Sequence, residues 1–220
     1  MAAGSCRWSR NVGGILIVDY GMGNIGSVVN AFASLGVPCT VSREAEALRQ
    51  ANGIVLPGVG AFAAAMANIR QLGLDAGLND AVIGRRVPFL GICLGLQLIA
   101  RDSVEHGFTE GLGWIEGHVV AMTPAAGLPV PHVGWNDVQR TAESPMFHRI
   151  DLAADFYFDH TYCLDTSPDA VVGTCEYGGR WVAAVQRDNI FAVQFHPEKS
   201  QRNGLRLLRN FVNAAHGMAC

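Results

Sequence analysis

Over its first hundred residues the chain alternates between short apolar runs and longer stretches with apolar residues at helical spacing. Gly14 to Val18, Val37 to Val41, Ile54 to Leu56 and Val87 to Cys93 read as strands. The last of these has no polar relief, the pattern of a strand buried on both faces. Between the strands, Val28, Val29, Phe32, Ala33 and Leu35 line one face of a first helix that Gly36 closes. Phe62 to Leu72 and Leu74 to Ile83 read as further helices returning to the strand before Cys93. Such alternation predicts an open, doubly wound, mostly parallel α/β sheet.

After Ile99 the pattern changes. Ser103 to Gly113 reads as loop. Short β runs follow at Val119–Met122, Val130–Val138, Phe156–Phe158, Val171–Cys175, Trp181–Val185 and Ile190–Phe195. Turns at Gly127-Leu128-Pro129 and Gly178-Gly179 separate some of them. This half predicts a largely antiparallel extension of the sheet. Leu205, Leu207, Leu208, Phe211 and Val212 mark a closing amphipathic helix.

Composition narrows the function classes. The 220 residues fit one domain, and with 50% of them hydrophobic a large core is available. A net charge of −3 gives no basic field for nucleic acid. The apolar stretch Ala51 to Ile69 is broken by Pro57 and several glycines, so it reads as strand, loop and helix rather than a membrane span. Residues 1–14 carry Arg7 and Arg10 and no acid, and are expected to be a disordered extension rather than a targeting segment. The six cysteines show no Cys-x-x-Cys spacing. Reduced thiols in a cytoplasm are therefore expected, with no metal site.

Two stretches carry candidate chemistry. Gly91-Ile92-Cys93-Leu94-Gly95 has the form of a nucleophile elbow, a strand-to-helix turn holding one strained residue between glycines. A thiol there sits where backbone N–H groups favour a thiolate. Taken alone, Cys93 reads equally as a small buried hydrophobe. A Cys nucleophile needs a base and the base an orienting group, often distant in sequence. His196 supplies the first, ending an apolar run that only Gln194 interrupts, and Glu198 the second. Both follow a strand, at the edge where open α/β sheets gather their ligands. Gly21-Met22-Gly23-Asn24-Ile25-Gly26 fits the dinucleotide fingerprint, with Glu44 about twenty residues on. A nucleotide role would leave the elbow and the His196–Glu198 pair unexplained. The glycine turn is expected instead to pass close to a partner or to the active-site edge.

The elbow with Gln97, and Gln194-Phe195-His196-Pro197-Glu198, resemble the class I (triad) glutamine amidotransferases. Further matches are Asp19-Tyr20-Gly21-Met22-Gly23-Asn24, Pro57-Gly58-Val59-Gly60, Pro131-His132-Val133-Gly134-Trp135-Asn136 and His160-Thr161-Tyr162. They run in order from about Ile15 to Val212, and within the family they are most similar to the glutaminase subunits of imidazole glycerol phosphate synthases. The resemblance implies a flavodoxin-like amidotransferase domain over residues 15–216 and a Cys93-His196-Glu198 triad that hydrolyses glutamine. It implies oxyanion or substrate contacts from Gly58, Val59, Leu94, Gln97, Glu105, Thr161 and Tyr162, and no cofactor. It also implies a (β/α)₈ cyclase partner in histidine biosynthesis, met through Asn24, His132, Trp135 and Lys199. A paralogous glutaminase serving another synthase and a catalytically dead scaffold are the alternatives. Asp159 departs from the family, which usually carries an apolar residue there.

Overall fold

A computed structural model describes residues 14–125 and 127–217, so the expected extension, Gly14 apart, lies outside the described residues. The first half is built from β1 (Ile15–Val18), α1 (Ile25–Ser34), β2 (Cys39–Ser42), α2 (Ala45–Arg49), β3 (Gly53–Gly58), α3 (Phe62–Gln71), α4 (Leu74–Asn79), β4 (Phe89–Cys93) and α5 (Leu94–Leu98). The four strands lie parallel in the order β2-β1-β3-β4. Their alternating residues point to opposite faces. Ile15, Ile17, Val55, Leu90 and Ile92 share a core with Val28 and Phe32 of α1, while Leu16, Val18, Ile54 and Leu56 share the other with Phe62, Met66 and Leu78. Helices on both faces explain the unbroken apolar runs of β1, β3 and β4, every residue of which is buried. Edge strand β2 starts two residues later than expected and none of its residues is fully buried.

The second half comprises β5 (Ala100–Ser103), β6 (Thr109–Glu110), β7 (Ile115–Ala121), β8 (His132–Arg140), β9 (Ala153–His160), β10 (Tyr162–Thr166), β11 (Val171–Glu176), β12 (Arg180–Arg187), β13 (Ile190–Val193) and α6 (Gln201–Ala215). Strand β13 lies parallel to β4, and β12, β11, β8 and β9 continue the sheet antiparallel. The expected parallel sheet with an antiparallel extension is thus present as nine strands. Two expectations need correction. The stretch Ser103–Gly113 is not all loop, because Ser103 ends β5 and Thr109–Glu110 form β6. Moreover, the expected run at Val119–Met122 belongs to β7, which does not extend the main sheet but joins β5, β6 and the unexpected strand β10 in a separate four-stranded sheet. Periodicity marks a strand's faces but not its neighbour, which the intervening turns decide.

Helix α6 buries Leu207, Leu208, Phe211 and Val212 against the α1 side of the sheet. It sits close because residue 204 is glycine. A Cβ there would lie 1.8 Å from the Pro197 carbonyl oxygen, so the helix seats the turn carrying His196 and Glu198. No described helix is long and apolar enough to cross a membrane.

Candidate active site

Cys93 closes β4 with φ 54° and ψ −107°, a conformation that costs a non-glycine residue backbone energy. Packing on both sides forces it. A Cβ on Gly91 would approach the Gly95 carbonyl oxygen to 2.6 Å, and one on Gly95 would reach the Leu56 carbonyl oxygen at 1.8 Å. The elbow therefore fits only with glycine at both positions, holding the thiol at the carboxyl edge of the sheet.

Register brings the base to it. Because β13 pairs with β4, Val193 against Ile92, His196 leaves its strand beside Cys93. Its Nδ1 lies 2.8 Å from Glu198 Oε1, and both side chains are 2% exposed. Burial opposes a charged imidazole, but the adjacent Cys93 sulfur and the Glu198 carboxylate outweigh it and push His196 up to about 10. His196 Nε2 is buried without a hydrogen bond of ordinary geometry, leaving it free to exchange a proton with the sulfur. Burial pushes the half-buried Cys39 thiol up to about 11 and the core thiols of Cys163 and Cys175 up to about 12, where a thiol is inert.

Cys93 opens on a cavity of about 340 Å³ walled also by Val59, Leu94, Gln97, Glu105, Thr161 and Tyr162. Larger hollows near Arg187 (about 420 Å³) and Trp181 (about 580 Å³) bring no thiol or hydroxyl together with a histidine. Six of the seven residues expected at the oxyanion or substrate therefore share one wall. Gly58 is the exception. It lies beneath, where a Cβ would sit 2.1 Å from the buried Tyr20 hydroxyl. Gln97 Nε2 donates to the Tyr162 carbonyl oxygen (2.9 Å) and to Gln194 Oε1 (3.2 Å), so both of its amide hydrogens are engaged. Glu105 Oε2 accepts from the Phe62 N–H at 2.7 Å, capping α3, whose first residues carry no side-chain cap of their own. The Val59 N–H, expected to hold an oxyanion, donates instead to the Met22 carbonyl oxygen at 3.4 Å. That bond belongs to the glycine turn, as do the approach of a Gly23 Cβ to within 3.3 Å of the Pro57 oxygen and of a Gly60 Cβ to within 2.8 Å of Met22 Cε. At Gly23 the glycine turn thus passes close to the Pro57–Gly60 segment, beside the edge where Cys93 sits.

The four residues expected to meet a partner separate into two kinds. Trp135, 49% exposed, packs edge-on against Tyr157. Lys199 Nζ lies over the Tyr157 ring and 3.8 Å from Asp159 Oδ2, so the unexpected acid pairs with that lysine. Val133 and Trp135 stand across from Asp159 and Tyr157 on the outer face of the β8–β9 pair. Asn24 caps α1, its Oδ1 accepting from the Ser27 N–H. His132 needs correction as a contact residue. It is 2% exposed, stacked between Phe158 and Tyr177, with Nδ1 3.2 Å from His160 Nε2. Buried rings in strand alternation with an exposed Trp are hard to assign to a face from sequence alone. Burial holds both histidines low, His160 at about 4.

One neighbour of the thiol was not singled out from the sequence. Gln194 is fully buried, and its Nε2 donates to Cys93 Sγ at 3.7 Å. The signal was a single polar residue inside an apolar run. Among the described residues no cluster of three or more His, Cys, Asp or Glu could hold a metal ion.

Residues 16–215 match the family profile of class-I glutamine amidotransferases. The chain is 48% identical over 198 residues to imidazole glycerol phosphate synthase subunit HisH of Moorella thermoacetica, covering 90% of this chain and 93% of that one. It is 42% identical over 198 residues to subunit HisH 1 of Campylobacter jejuni strain RM1221, covering 90% and 98%. A crystal structure of a glutamine amidotransferase superposes with a TM-score of 0.73 at 19% identity, over 93% of this chain and all of that one, a likeness of fold. The chain belongs to the class I glutamine amidotransferases, and within them to the family of the HisH subunits.

Proposed function

We propose that the protein hydrolyses L-glutamine to glutamate and ammonia at Cys93, and hands the ammonia to a cyclase partner that forms imidazole glycerol phosphate in histidine biosynthesis. The observation carrying this reading is the strained Cys93 on the cavity wall, with His196 beside it and Glu198 2.8 Å behind. The sulfur attacks the side-chain amide carbon while His196 takes the thiol proton. Glu198 orients the imidazole and balances its charge. The tetrahedral oxyanion is held by the Leu94 N–H and by the Gly58–Val59 turn, once the Val59 amide leaves Met22. His196 returns the proton to the departing ammonia, leaving a glutamyl thioester. Water then attacks the thioester, giving up a proton to His196, and glutamate leaves as the thiol is restored.

Ammonia gains a proton in neutral water and ceases to be a nucleophile, which favours direct delivery to a partner. The HisH relatives are named as synthase subunits, and exposed Trp135 beside half-buried Tyr157 and Lys199 offers an aromatic and cationic anchor. The partner we assign is a (β/α)₈ cyclase, and the compartment the cytoplasm, in keeping with four unpaired described cysteines.

The test is glutamate release by the chain alone and mixed with a histidine-pathway cyclase carrying its nucleotide ligand. Stimulation by the mixture, abolished in Cys93→Ala, is the expected outcome. Activity retained in Cys93→Ala would end the nucleophile assignment. Unstimulated activity would redirect the chain to another synthase, and silence in both would leave a scaffold.

A further inference from the structure

The nucleophile has a hydrogen-bond donor that the triad leaves out. Gln194 follows β13, and its backbone N–H is fixed by the Ala183 carbonyl of β12 at 2.9 Å. Its side chain is wholly excluded from solvent, where an unmatched amide would be costly. The amide orientation follows from its neighbours. Gln97 Nε2 donates to Gln194 Oε1, so the carbonyl end faces Gln97 and the NH₂ end is turned to Cys93 Sγ. Gln97 is itself held by the Tyr162 carbonyl. A rigid line of amides thus runs from the cavity wall to the sulfur.

We propose that Gln194 is a thiolate-stabilising residue of this site, its side-chain N–H donating to the Cys93 sulfur while its carbonyl ties that donor to Gln97. This rests on Cys93 being the nucleophile. A donor fixed toward sulfur in a dry site favours the charged form over the thiol, because bonds to ions are stronger than bonds to neutral groups. The ionisable groups around the sulfur are His196 after β13, Tyr20 after β1, and Asp159 and His160 at the end of β9, with Glu198 behind His196. A change at Gln194 leaves all of them in place.

The test is the pH profile of Cys93 alkylation by iodoacetamide, followed on the Cys93 peptide, in the whole protein and in Gln194→Met, which keeps length and loses the donor. The expected result is alkylation about 10-fold slower at neutral pH, with the profile displaced to higher pH, and a kcat for glutamine reduced about 10-fold. A second measurement needs no variant. In the unmutated protein the Gln194 side-chain amide resonance should follow the same pH profile as the alkylation. An unchanged profile in Gln194→Met, or an amide resonance that stays still across it, would overturn the assignment. If instead Cys93 of the unmutated protein resists alkylation, or alkylated protein still hydrolyses glutamine, the nucleophile reading itself fails.

Discussion

At the residue scale, Cys93, His196 and Glu198 were legible as three residue types at two strand ends, and the structure brings them side by side. His196 is held well above its ordinary 6.5 by the sulfur and by Glu198, despite burial. The sign of the pH dependence follows. The stability contributed by protonated His196 is complete below about 6.5 and is lost as pH rises through about 10. Glu198→Gln removes one of the two groups that raise it. Thermal unfolding followed from pH 6 upward should therefore show a smaller alkaline loss in Glu198→Gln than in the parent. The same variant should lower kcat by about 100-fold, the scale of a mis-oriented base. Gln194 shows why some residues escape a sequence reading. Its chemistry depends on which end of an amide faces sulfur, and that is set by Gln97, ninety-seven positions earlier.

At the element scale, most strands and helices of the first half were readable, because both faces of its sheet are covered and apolar runs have a single meaning. Helix α2, with only Leu48 fully buried, gave too little periodicity to notice. The second half was harder. The run within β7 looks from sequence like the strands of the main sheet, and only the three-dimensional pairing separates it, while β10, with Cys163 and Leu164 buried side by side, shows no alternation to read. The elbow is the most constrained element. Gly95→Ala would press a methyl group on the Leu56 backbone, which cannot retreat without shifting β3. It should cost about 3 kcal/mol. Urea unfolding measures this, and a loss near zero would mean that the elbow can open.

At the scale of the whole molecule, the reacting edge and the proposed docking face adjoin each other. Asp159 contributes its carbonyl oxygen to the Cys93 thiol (3.9 Å) and its carboxylate to Lys199 on the outer surface. Events at the surface thus have a short route to the sulfur. Trp135→Ala should weaken binding of the cyclase by about 2 kcal/mol, roughly 30-fold, while leaving the melting temperature of the isolated chain nearly unchanged. Titration calorimetry beside a thermal melt separates the two. Trp135 was singled out through the family resemblance and is exposed, whereas the burial of His132, three positions earlier and packed against Phe158 and Tyr177, could not be read from the sequence.

The adjacency of β4 and β13 has a consequence for the life of the chain before it is finished. Cys93 is made early and His196 more than a hundred residues later, and the two meet only when β13 closes against β4. A nascent chain still lacking residue 196 carries the thiol but nothing to activate it. On the proposed mechanism, a product truncated before residue 196 would release no ammonia from glutamine, which glutamate release by a chain cut after β12 would check.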